Sequence, residues 1–342
     1  MITLEGDKLV FRFPGIHAEA GTEINFQRTL RIPDNGKQYP LPSGIGSFPL
    51  QHVDDYAERV PCAWCQRGGV MMPIHQAEAM WISFGADQLR SSGYPCAVKI
   101  ATGKINAVSG KPWSPELDPS QQDYIVVPGQ RWLDGYAVAN NVVRQFVAMP
   151  LGAGYSAEEQ STGRAEYGGL QIVVYPMKVA RYARILEAEA IMSEFMSEVL
   201  CALAKPLSEE LAMGLAAGGR MRQQVYADPY GYDAWDTRVS RRCFVTLVNA
   251  LHWSQITGVA PPTKPPTAAD YNRAGLPWFD HYREAQTLEG ASELTALKSV
   301  TEMAVARGED PIADQDFLEP AYVVKLDPQA SQKTRAVRES GI

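Results

Sequence analysis

Thiols and imidazoles are scarce in this chain: five cysteines and five histidines in 342 residues. An odd cysteine count with no framework spacing excludes a fully paired disulfide scaffold and fits a reducing cytosol, so a cytoplasmic location is expected. No HExxH is present, and no two histidines share one element at ligand spacing. Neither a metal nor a cofactor is expected. Apolar runs are short as well. None approaches the roughly 20 residues that cross a bilayer as a helix. The opening MITLEGDKLVFRFPG has dispersed charge and no small-residue cleavage site, so neither a membrane span nor a signal peptide is expected. A basic surplus is missing too. With 32 Lys and Arg against 39 Asp and Glu, the net charge of −7 argues against general nucleic-acid binding, which needs a basic stripe for the phosphates. Internal repeats, low-complexity blocks, GxGxxG, GxxxxGK[ST] and GxSxG are all absent, which removes the commonest phosphate-cradling and nucleophile signatures.

What remains is ample apolar content, 45% of residues, in a chain long enough for one large domain or two ordinary ones. The organising stretch is 124–177. Three apolar runs, Tyr124–Val127, Val142–Ala148 and Leu170–Tyr175, are closed by Pro128, Pro150 and Pro176, and read as strands buried on both faces. Between the second and third lies a glycine-flanked polar insert, Gly152 to Gly169. There Ser156, with Glu159 three residues on, forms a capping-box signature for a short helix. Further strands are expected at Leu9–Phe13, Glu23–Ile32, Val70–Met72, Ala79–Phe84 and Tyr322–Leu326, with a hairpin at Cys96–Ala101 and Ile105–Val108. From Met177 the pattern changes. Apolar residues at Ile185, Ala188, Met192, Phe195, Val199 and Leu203 recur at helical spacing. More helices are expected from Leu207, from Asp236 or Thr237 through Ile256, from Thr267 to Ala274 and over Glu293–Ala306. The expected fold is therefore α+β: a β-rich unit over 1–176, sandwich or barrel-like, with a helical half over 177–328 packed on it and a polar tail over 329–342.

Several residue groups carry possible chemistry. Cys62-Ala63-Trp64-Cys65 is a CxxC following Pro61 in an expected loop, without the second pair that zinc wants; structural, metal and redox readings stay open, the first favoured. Phosphate on the PLGAGY turn is disfavoured, because Glu158 and Glu159 already answer the helix dipole. The strongest constellation is Trp132, Asp134, Arg144, Gln145, Glu159 and Gln160. Arg144-Gln145 interrupts an apolar strand, and a charge entering a sheet needs a partner, expected to be Asp134 or a glutamate of the insert. It is either a structural ion pair or a ligand or partner surface. Aromatics at Trp113, Trp132, Trp235, Trp278 and Phe279 suggest interface anchors, or core.

The segments YPCAVKIATGKINAVSG (94–110), DYIVVPGQRWLDG (123–135), VRQFVAMPLGAGYSAEEQSTG (143–163) and GGLQIVVYP (168–176) resemble a family of uncharacterised bacterial and filamentous fungal proteins. The resemblance covers 94–176 and implies a real module, without activity, substrate or catalytic residue. Two functional readings follow. The first is a non-enzymatic binding or self-assembling protein, expected to form a homo-oligomer or engage a protein partner. The second is a metal-independent hydrolase or lyase using carboxylates and Arg144 on a small polar substrate.

Overall fold

The computed structural model describes residues 1–85, 93–193, 210–281, 285–311, 320 and 323–326. It is strand-rich, and most strands join one large, mainly antiparallel sheet. One unbroken path of antiparallel pairings runs Lys8–Arg12, Gly21–Thr29, Ala79–Gly85, Val142–Pro150, Glu210–Arg222, Arg241–Asn249, Leu170–Pro176 and Cys96–Thr102. Val70–Pro73 adds in parallel beside Arg241–Asn249. A separate small sheet joins Leu41–Pro42, Trp278–His281 and Val323–Leu326. The three proline-closed runs form strands as expected, at Ile125–Val127, Val142–Pro150 and Leu170–Pro176. Each is almost continuously buried; Val142–Pro150 and Leu170–Pro176 have sheet neighbours on both edges, and Ile125–Val127 pairs with Cys96–Thr102.

The expected helical half is overturned in two places. Residues 210–222 and 241–249 are strands, paired with Val142–Pro150 and Leu170–Pro176, so strands from both sides of residue 176 share one sheet. The first, ELAMGLAAGGRMR, is rich in helix-forming Ala, Leu and Met. Burial of Met213 through Gly219 on both faces erases any period that could separate strand from helix. Its glycines decide the matter. A Cβ at Gly218 would lie 2.5 Å from Val147 Cγ2, and one at Gly219 2.5 Å from the Pro33 carbonyl oxygen. Opposite this pair the register slips between Arg144 and Phe146, the signature of a bulge. The second strand, RRCFVTLVN, has β-branched and aromatic content that outweighs the helical pattern read over 236–256. Leu251, within the expected 236–256 helix, is 75% exposed.

Helices occupy Val179–Ser193, Ala268–Arg273 and Val300–Arg307, among shorter pieces. The Glu293–Ala306 helix divides into Ser292–Thr295 and Val300–Arg307, the latter opened by a Ser299–Glu302 capping box. The expected continuation of the 177–204 helix past Ser193, and the 329–342 tail, lie outside the described residues. Of the two readings of the five aromatics, interface anchors or core, their burial fits core. Trp235 and Trp278 are buried, while Trp113, Trp132 and Phe279 are half-buried against the core. Among the described residues no helix is long and apolar enough to cross a membrane.

Candidate functional site

The insert begins where the Val142–Pro150 strand ends. Ser156, in extended conformation, caps the Ala157–Thr162 helix, and Gly163 closes it in the left-handed region at φ 70°. Glu159 does more than complete the box. Its Oε1 accepts the backbone N–H groups of Gly152 at 2.9 Å and Gly154 at 2.7 Å, while Oε2 accepts from Ser156 N–H at 3.1 Å and Ser156 Oγ at 2.6 Å. The glycine turn is thus an anion nest already filled by the protein's own carboxylate, which is the physical reason it leaves no place for phosphate.

Its neighbour Glu158 turns inward and is 1% exposed, accepting Gly168 N–H at 2.8 Å and Tyr167 N–H at 3.2 Å. Burial raises its pKa, and those N–H groups with nearby Lys104 pull it part of the way back. Gly103, at φ 56° in the Thr102–Lys104 hairpin turn, presses against this carboxylate, and a Cβ there would overlap it. Gln160 ties the helix outward: Nε2 donates to the carbonyls of Tyr155 at 2.8 Å and Lys298 at 2.9 Å, and Oε1 accepts Lys298 N–H at 2.8 Å.

At the other end of the same strand, Arg144 is 4% exposed. Its partners are Glu302 and Asp34, which corrects the expectation of Asp134 or an insert glutamate. Nη2 donates to Glu302 Oε1 at 3.3 Å, and Nη1 lies 3.2 Å from Glu302 Oε2 and 3.9 Å from Asp34 Oδ1. The Nη1 approach is an ion pair and not a hydrogen bond, since its angles leave that atom without an acceptor. Burial pushes the Glu302 pKa up, but Ser299 N–H and Arg144 outweigh it and the net shift is downward. Gln145, fully buried, clamps a distant segment: Oε1 accepts Ile32 N–H at 3.0 Å and Nε2 donates to the Leu30 carbonyl at 2.9 Å.

Asp134 has an amide for company. Its Oδ2 accepts Gln223 Nε2 at 3.0 Å, and its N–H donates to Gln223 Oε1 at 2.9 Å. Burial lifts its pKa to about 8, so the acid is held neutral below that pH. Trp132 pairs with Ser83 across a two-residue strand, half-buried. The six residues therefore do not converge. Six strand positions separate Arg144 from Pro150, about 20 Å at ~3.3 Å per residue, so two groups stand at opposite ends of one strand.

What joins these ends is a segment read from the sequence as a helix but with nothing to tie it to this strand. Residues 298–309 run alongside: Lys298 is held by Gln160, Glu302 by Arg144, Arg307 donates to the Ala153 carbonyl and stacks 4.8 Å over the Tyr155 ring, and Glu309 accepts from the Tyr155 hydroxyl. Two open troughs border the Val300–Arg307 helix. One, of about 600 Å³, is lined by Gly152–Tyr155, Arg307, Glu309 and Asp310. The other, of about 580 Å³, is lined by apolar Ile105, Pro112, Leu297 and Met303 together with Gln160, Glu293 and Lys298. Among the described residues no three His, Cys, Asp or Glu side chains are grouped to hold a metal ion.

The CxxC does not sit in a loop. Cys62–Arg67 is a helix, with Cys62 its first residue. Comparison with known proteins finds no matching family model, no similar curated protein and no similar solved structure.

Proposed function

We propose that this is a non-enzymatic, cytoplasmic binding protein that assembles with a second copy of itself. Its docking surface is the Val300–Arg307 helix with the two troughs beside it. The observation that carries this reading is Val305, 63% exposed on a helix whose Val300 and Ala304 are buried against the sheet. A valine held out on a helix bordered by two open troughs offers an apolar contact to a second copy. The trough borders pair opposite charges, Arg307 with Glu309 and Asp310 on one side, Lys298 with Glu293 on the other. A two-fold contact needs a patch that complements itself, and mixed charge meets that need. Ser156, Glu158 and Glu159 of the insert are buried and hold the chain, which leaves shape and rim charge to act outward. An Arg144-centred enzyme is not favoured, because that guanidinium is buried behind Glu302. We further infer that residues 94–176 are the module shared with the uncharacterised bacterial and fungal proteins that they resemble.

Native mass spectrometry and sedimentation on gently purified protein test the assembly. A discrete dimer is expected, weakened at least tenfold by Val305→Glu, about 1.4 kcal/mol or more. A wild-type monomer up to about 100 μM, where contacts of Kd below ~10⁻⁴ M would show, removes the reading. A dimer indifferent to Val305→Glu removes the assigned surface.

A further inference from the structure

Of the cysteines in the described residues, two are locked away. Cys96 and Cys243 lie in strands, both buried, and burial drives the thiol pKa of Cys243 up to about 12 and that of Cys96 higher still. The other two are placed differently. Cys62 is exposed, Cys65 half-buried, and they stand one turn apart on the Cys62–Arg67 helix. Positions i and i+3 of a helix bring Cβ atoms to about 5–6 Å, about 1–2 Å beyond the ~3.5–4.5 Å that a disulfide needs. A small rotation of the first turn therefore closes the bond.

The turn is held firmly from below. Trp64, between the cysteines, is 5% exposed in a cluster with Val53, Val60, Met71, Val248 and Trp253, and Cys65 packs against the same cluster. Arg67 ends the helix by donating to the carbonyls of Tyr167 at 3.1 Å and Glu166 at 2.9 Å, with its guanidinium 4.7 Å over the Tyr167 ring. One thiol is thus offered to solvent and the second waits behind it on a fixed scaffold, the arrangement of an attacking and a resolving thiol. Among the described residues no further ligand group joins them, so a metal centre has less support than redox chemistry.

We propose that Cys62 and Cys65 form a redox-active dithiol that exchanges with low-molecular-weight disulfides of the glutathione class. The Cys62 thiolate attacks one sulfur of the disulfide RSSR, its S–S bond breaks, RS⁻ leaves and a Cys62–S–S–R mixed disulfide forms. The Cys65 thiolate then attacks Cys62 Sγ, expels the second RS⁻ and closes the Cys62–Cys65 bond. The two protons released by the protein thiols go to the two leaving thiolates. The protein loses two electrons and RSSR becomes two RSH.

Oxidised glutathione is the probe, with acid quenching, alkylation and trypsin. Cleavage after Arg59 and Arg67 isolates both cysteines on the peptide Val60–Arg67, apart from every other thiol. The wild-type peptide is expected to become two hydrogen masses lighter and to be restored by dithiothreitol. Cys65→Ser is expected to trap one glutathionyl group on Cys62, and Cys62→Ser to carry none. A wild-type peptide that stays reduced, or that retains glutathione without closing, overturns the proposal. So does equal modification of the two variants, which would mark two independent surface thiols. Titrating wild-type protein against glutathione ratios gives a second readout: a single two-electron transition is expected, and its absence counts against the pair.

Discussion

Replacing Glu159 with alanine tests the reading of the insert most directly. The carboxylate accepts four hydrogen bonds, three of them from the backbone N–H groups of Gly152, Gly154 and Ser156. Alanine leaves those three donors without an acceptor. Gly152 and Gly154 border an open trough, so their N–H groups recover water and cost about 0.5–1 kcal/mol each. Ser156 is 1% exposed, and its orphaned N–H costs about 1–3 kcal/mol. The expected loss is about 3 kcal/mol, which at m of ~3 kcal/mol/M moves the urea midpoint down by about 1 M. An emptied anion nest should also accept a foreign carboxylate. Formate at tenfold its dissociation constant in the variant restores about 1.4 kcal/mol, with chloride at equal ionic strength as the control and wild type unresponsive. A variant within about 0.5 kcal/mol of wild type, the ordinary range for surface changes, refutes the reasoning, as does formate that stabilises both proteins alike.

Asp134 predicts a pH dependence. Its folded pKa lies near 8, above an unfolded value near 4. The folded state therefore holds the proton more tightly, and its contribution to stability is full below about pH 4 and is lost as pH rises through 8. Asp134→Asn should remove this decline, making the variant more stable than wild type by up to about 5 kcal/mol at pH 8, with little difference near pH 4; parallel denaturation curves across that range would refute it. Gln145→Leu strands the Ile32 N–H and the Leu30 carbonyl inside the protein. About 2–4 kcal/mol of destabilisation is expected, and a neutral result in thermal unfolding would show that the clamp is dispensable. Gly103→Ala meets both a positive φ and the Glu158 carboxylate. Strain of about 1–2 kcal/mol plus the overlap should lower the melting temperature, whereas an unchanged one would mean that the hairpin turn moves aside freely.

Short-range chemistry was legible where it is self-contained. Ser156 and Glu159 announce a capping box because both partners lie within one turn, and Thr267 marks the start of a helix in which the structure pairs it with Asp270. The proline-closed strands were legible because β-branched runs bounded by breakers admit few alternatives. Glu158 and Glu159 could be read as answering the helix dipole, yet the sequence did not show that one fills the glycine nest and the other turns inward beneath Gly103.

The chain's local pattern, by itself, determined the strand–insert–strand core at 142–176, the short capped helices, and the presence of a charge in the 142–150 strand that had to be paired. Tertiary structure alone decided the rest. It made a strand of 210–222, since burial on both faces removes the periodicity that separates strand from helix and cross-strand neighbours then settle the conformation, whereas 241–249 carries its own β-branched and aromatic signal. It gave Arg144 to Glu302, 158 positions away, because an ion pair reflects proximity in space, on which sequence separation is silent. It also placed Cys62 and Cys65 on a helix anchored by Trp64, whose packing against Trp253 lies far beyond the reach of a six-residue propensity.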